Sequence, residues 1–193
     1  MGRKDEIIDA TMELITQIGF SNFSIGKVAN ALNVSKGVIT YHFPTKDLLL
    51  QAVVTKYYEE AAVYMGQHMR IDKSACDTLN SYIESNLNFV KEKKIETIAI
   101  VDIILNSRTK EGEMLFREDK TIYNPLIEIF KYGQEIEKSY RDFSPEIMAR
   151  SVRSVIDSMS LAIAREEITD IDDVIREVQK IFESSTLKQM EKL

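Results

Sequence analysis

Ser24, Lys27, Ser35, Lys36, Gly37, Val38, Thr40, Tyr41, His42 and Lys46 place hydroxyls, ammonium groups and an imidazole within a short span of the N-terminal quarter. Such groups suit phosphate oxygens and base edges rather than bond-making chemistry. Lys36 can reach a guanine edge or a phosphate, and the methyls of Val38 can meet a thymine methyl. Gly37 allows the backbone a close approach to a groove. Ser24, Lys27, Thr40, Tyr41, His42 and Lys46 are suited to phosphate contacts, which set register rather than base choice. Nucleophile motifs, Gly-rich phosphate loops and His/carboxylate clusters at ligand spacing are absent from the sequence, so it does not read as an enzyme.

Positioning these groups requires two short helices and a tight turn. Ser24 caps a helix with Ile25, Val28, Ala29 and Leu32 on one face. Asn33-Val34 makes the turn, Ser35 opens a second helix, and Pro44 ends it near His42. Ile25, Val28, Ala29, Val34, Ile39 and Phe43 are left to build a small core. Ahead of the pair, Ile7, Ala10, Leu14 and Ile18 make the stripe of a first helix from about Lys4 to Ile18, which Gly19 stops. Behind it, a fourth helix starts at Thr45 and runs to about Met69. This is a helix-turn-helix, whose second helix can enter the major groove.

Positions 7–53 of this chain resemble the TetR family of bacterial transcriptional repressors. The resemblance is carried by Gly19-Phe20, Ile25, Val28-Ala29, Val34-Ser35, Gly37, Ile39, His42-Phe43, Lys46 and Leu48. It implies an all-α chain: a three-helix DNA-binding domain over 1–47, and a larger helical domain over 48–193 that dimerises and binds a small effector. The expected partners are a near-palindromic operator in double-stranded DNA, a second copy of the chain, and a cationic or amphipathic effector that releases a repressor. This chain departs from the family at Thr40, where an aromatic residue is usual, and Tyr41 beside it can carry the contact. Gly26 removes a base contact that the second helix of some relatives makes. A helical protein-interaction module without sequence-specific DNA binding is the alternative, and it leaves the patterned N-terminal residues unexplained.

The remaining helices are expected at 74–92, 95–106, 111–138, 145–167 and 171–190, the third of them bent or divided at Pro125. Asp102 lies within the apolar run of the 95–106 helix. It either selects a cationic effector or pairs with Arg108 or Arg117. Tyr64, Met65, Phe89, Met114, Tyr123 and Phe130 can line an adaptable pocket or fill a core. In the last two helices, Ser151, Ser154, Val155, Ser158 and Ala162, with Val174, Val178 and Phe182, read as the face of a four-helix dimer bundle. The other use of these helices is to cover the chain's own core.

The net charge of −6 falls wholly on residues after 50, because the first 50 hold five basic and five acidic residues. An acidic body orients a neutral head toward phosphates. With one cysteine, Cys76, there is neither an internal disulfide nor a cysteine metal cage. His68 has no histidine or cysteine nearby in the sequence, so no metal and no cofactor are expected. A charged start without an apolar stretch, and the lack of a run of about 20 apolar residues, point to a cytoplasmic protein off the membrane.

Overall fold

The computed structural model describes residues 2–71, 73–116 and 120–188. Among these there are nine α-helices and no strand, only two isolated bridges. They are α1 (Arg3–Ile18), α2 (Ile25–Ala31), α3 (Lys36–His42), α4 (Lys46–His68), α5 (Ala75–Glu92), α6 (Lys94–Asn106), α7 (Asn124–Lys131), α8 (Pro145–Ala164) and α9 (Ile171–Thr186). The chain divides into two compact units. One holds Met1–Glu60 and Lys93–Glu118, the other Ala61–Glu92 and Asp119–Leu193.

In the first unit, α1 packs on α2 and α6, and α2 packs on α3. Ile7 and Ile15 of α1, Val28 and Ala29 of α2, Ile39 of α3, Phe43, and Leu49, Leu50 and Val53 of α4 are buried. Local chemistry starts the elements where the sequence places them. The Ser24 hydroxyl accepts from the Lys27 amide at 3.3 Å, and the Thr45 hydroxyl accepts from the Leu48 amide at 3.1 Å. Each satisfies an amide that a helix end leaves free. Between α2 and α3, Asn33 takes φ 52°, a left-handed turn that asparagine tolerates.

In the second unit, α5 is the central element, covered by α7, α8 and α9. Leu79, Ile83 and Leu87 of α5 are fully buried, with Phe130, Ala149, Val152 and Ile156 facing them from the covering helices.

The sequence expectation of helix across 111–138 is corrected. Arg108 bridges to Met114, the Thr109 amide donates to Glu113 O at 2.8 Å, and Gly112 sits at φ 85°. This tight turn uses the backbone groups that a helix needs, at a conformation where glycine is strain-free. Helical structure resumes as a 3₁₀ turn at Lys120–Tyr123 and leads into α7, where Pro125 near the start lacks the amide hydrogen that position has no use for. A π-helical turn, Tyr132–Ile136, follows. Its Gly133 abuts Tyr140, and an added Cβ would run into the ring.

Candidate nucleic-acid interface

Val28, Ala29, Ile39 and Phe43 point inward and fix α2 and α3 against each other. What remains outside is the polar set. Ser24, Lys27, Ser35, Lys36, Gly37, Thr40, Tyr41 and Lys46 are exposed, and Val38 and His42 half-buried. Tyr41 is 83% exposed, a large cost for an aromatic ring that packing could have covered. Ile25 and Val34, expected in the small core, are only half-buried at its edge.

The side chains on this face are partly oriented already. The Lys46 ammonium lies 5.1 Å from the ring centres of both Phe20 and Phe23, a cation–π seat that holds the charge beside the start of α4. The Lys27 ammonium donates to the carbonyl of Asn22 at 2.9 Å. Thr40 turns its hydroxyl back to the carbonyls of Lys36 and Gly37, at 3.2 and 3.3 Å. Tyr41 projects freely and meets His42 edge-on at 5.2 Å. Lys36 lies across α2 at Gly26, where a Cβ would stand 2.7 Å from its Cε. The lack of a side chain at 26 therefore does more than remove a contact: it gives Lys36 its path.

One further signal lies in the sequence itself. From Leu14 to Lys46 there are three lysines and no carboxylate, in a chain that is acidic as a whole. Exposed lysines on a stretch of chain without carboxylates give this face a local positive charge that suits an anion.

The residues expected to line an effector pocket fall in both units. Asp102 and Met114 belong to the first unit, and Tyr64, Met65, Phe89, Tyr123 and Phe130 to the second. Phe130 is buried against Tyr140 and Phe143, with ring centres 6.0 and 5.4 Å away, so it serves the core. Phe89 is buried beside Tyr64. Tyr64 stacks on His68 at 4.0 Å, and His68 Nδ1 is 2.8 Å from Tyr64 O, which gives that histidine a structural use. Arg150 covers the Tyr123 ring at 4.6 Å. Met65 is half-buried. Asp102 is half-buried on α6. Arg108 does not pair with it but donates to the carbonyls of Leu105 and Ser107 at 2.7 and 3.0 Å. Arg117, its other suggested partner, lies outside the described residues.

The dimer face needs a correction. Val178 and Phe182 are 3% and 4% exposed within the single chain, because α9 lays that stripe on α5. They cannot meet a partner as well. Val174 is half-buried beside them. On α8 the small residues do face outward: Ser151, Ser154 and Ser158 are exposed, and Val155 and Ala162 half-buried. Ile147, 68% exposed, extends that face.

Sequence reasoning missed a cleft inside the first unit. Its volume is about 310 Å³, and its walls come from α1, the middle of α4 and the start of α6. The residues concerned are some 40 positions apart in pairs, so no local pattern marks them. Among the described residues no group of His, Cys, Asp and Glu is arranged to hold a metal, and no helix is long and apolar enough to cross a membrane.

Residues 7–53 match the family model described as "Bacterial regulatory proteins, tetR family". Over 169 residues the chain is 24% identical to the HTH-type transcriptional regulator BetI of Proteus mirabilis, covering 86% of this chain and 82% of that protein. A TetR transcription regulator from Haloarcula marismortui has a similar fold, with a TM-score of 0.79 at 21% identity, covering 96% of this chain and 98% of that one. A transcriptional regulator from Saccharomonospora viridis, solved in complex with choline, matches with a TM-score of 0.69 at 17% identity over 96% of this chain and 98% of its own.

Proposed function

The chain is a TetR-family transcriptional regulator, and from that premise we propose that it is a repressor that grips a near-palindromic operator as a homodimer and lets go when a small molecule binds. Residues 1–47 are the DNA reader, and residues 48–193 dimerise and receive the effector. The observation that carries the reading is the exposed polar face of α2 and α3 with Lys46 beside it, on a stretch from Leu14 to Lys46 that holds three lysines and no carboxylate, standing on buried Val28, Ala29, Ile39 and Phe43. Lys36 and Val38 read bases. Ser24, Lys27, Ser35, Tyr41, His42 and Lys46 hold phosphates, and Thr40 supports α3 through its bonds to the backbone. The protein does no bond chemistry and works in the cytoplasm.

Two copies meet through the outward face of α8, from Ile147 through Ser151, Ser154 and Ser158. Small side chains there allow close approach of a second helix. The effector is a cationic or amphipathic molecule. That choice is supported by the chain's acidic body and by the choline held in the Saccharomonospora relative. α4 is one unbroken helix from Lys46, beside the DNA face, to His68, so a shift along it is felt at the reader. A ligand changes operator affinity only by the difference in its own affinity for the two arrangements.

A mobility shift with the DNA upstream of the gene, repeated over a range of salt, tests the core of this. The expected result is a specific complex with a two-fold footprint, whose affinity falls steeply with salt as phosphate counterions are released. A bound monomer on an asymmetric half-site, or no complex above that with unrelated DNA, overturns it.

A further inference from the structure

We propose that the cleft between α1, α4 and α6 is a binding site for a small organic cation with an apolar body, and that its occupant acts on the DNA reader through α1. The second clause rests on the regulator reading, to which it adds α1 of the reader as one wall of a ligand site; the first does not. The cleft's volume of about 310 Å³ lies at the lower end of small-molecule sites and fits roughly a dozen heavy atoms. Its floor is apolar: Val53 and Tyr57 are buried and Met12 half-buried. The Tyr57 hydroxyl is tied to Thr97 Oγ1 at 2.6 Å, which fixes the ring.

Charge selects the occupant. Four carboxylates line the cleft, Asp9, Glu13, Glu60 and Glu96, against two ammonium groups, Lys56 and Lys93. Both ammonium groups are already engaged. Lys56 pairs with Asp9, and Lys93 sits 3.0 Å from Glu60 and 3.9 Å from Glu96. Glu13 accepts from the neutral amide of Gln17 at 3.1 Å. The lining thus keeps an excess of two negative charges over an apolar, aromatic floor. An anion is repelled there. A neutral hydrocarbon would fill the floor and leave the charge unanswered. A cation with an apolar body answers both, with Glu13 as its nearest unmatched carboxylate and the Tyr57 ring as a face for the positive group.

The position gives such a ligand leverage. α1 is the element on which α2 rests, and α4 starts at Lys46. Two walls of the cleft are therefore the helices that frame the reader. By linkage, a cation that alters operator affinity must have its own affinity altered by the operator to the same factor.

The test is calorimetric titration of the full-length protein with benzyltrimethylammonium, and with its neutral carbon isostere neopentylbenzene, with and without operator DNA. The expected result is saturable binding of one cation per chain and at least roughly tenfold weaker binding of the isostere, as the loss of a partly desolvated charge requires. Glu13→Gln should weaken the cation roughly threefold, the size of one partly exposed charge interaction, and leave the thermal melt and unliganded operator affinity in place. Met12→Trp should abolish binding by filling the floor. If the cation gives no saturable heat, if the isostere binds equally well, or if Glu13→Gln in a folded protein leaves cation affinity unchanged, the site is not there. The operator shift of the unliganded protein is read separately. If it fails while the cation still binds, the regulator reading falls and the cleft stands. If it succeeds without cation binding, the cleft falls alone.

Discussion

α3, of 7 residues, and α9, of 16, each turn one apolar side inward and one polar side outward, yet the two carry different information. On α3 the apolar side, Ile39, is buried, and the polar side with Lys36, Thr40 and Tyr41 stays out. On α9 the apolar stripe of Ile171, Ile175, Val178 and Phe182 is buried, and the outer side is mostly charged, with Ile181 alone as a large exposed apolar residue. The stripe on α9 says that the helix is covered; it does not say by what, and the chain's own α5 proves to be the cover. The polar face of α3 is informative because the fold makes no demand on it. Side chains that packing leaves free, and that still share one chemistry, describe a partner.

The largest effect is expected at Phe182. If its ring belongs to the chain's own core, Phe182→Ala should cost about 3–5 kcal/mol in urea denaturation, and Phe182→Asp should prevent folding rather than release folded monomers. A folded monomer from the aspartate variant would return α9 to the interface. Ile147→Asp makes the opposite case on the exposed face of α8. Its effect on the melt should stay within about 0.5 kcal/mol per chain once association is accounted for. It should weaken association by roughly 2 kcal/mol or more if that face is the centre of the dimer contact, as sedimentation at varied concentration will read.

At α3, Lys36→Ala should cost about 1–3 kcal/mol of operator affinity and relax preference at one base position. Gly26→Ala displaces the Lys36 end that now lies across α2, so it should shift the same base position by a smaller amount. Lys46→Ala should weaken all sequences alike and lower the salt slope by about 1. If all three variants change only the salt slope, α3 holds phosphates and reads nothing.

A different readout is available at Cys76, half-buried where α5 meets α9. Burial, and then the neighbouring Glu183 carboxylate, push its thiol up from 9.0 to about 11. The fold thus favours the neutral thiol. That contribution to stability is whole below pH 9 and is lost as pH rises through about 11. At pH 9 the native thiol should be about 1% ionised against about half in the unfolded chain, so iodoacetamide should react on the order of 50-fold more slowly with native protein. Equal rates in native protein and in urea would mean that the α5–α9 seam opens freely.

Local chemistry made the head legible. A capping hydroxyl at Ser24, an asparagine that accepts a left-handed turn at position 33, and Pro44 after α3 each act within a few residues of where they stand. The apolar periods of α1, α4, α5, α6, α8 and α9 likewise needed only their own sequence, and the structure places those helices within a few residues of the expected bounds. The stretch after Asn106 was misread because Pro125 marked one break, while the turn closed by Gly112 depends on a pairing between Arg108 and Met114 that no helical period encodes.

The order of helices and the polar character of the α2–α3 face are thus legible from the residues alone, since both follow from contacts between near neighbours along the chain. Which stripe is covered by which depends on how the helices pack. Packing turned Val178 and Phe182 inward onto α5, laid Lys36 over Gly26, and brought Asp9, Glu13, Lys56, Glu60, Lys93 and Glu96 around one apolar hollow. Those outcomes depend on side chains that meet only after distant helices have packed, and periodicity fixes the side of a helix that must be buried without fixing what buries it.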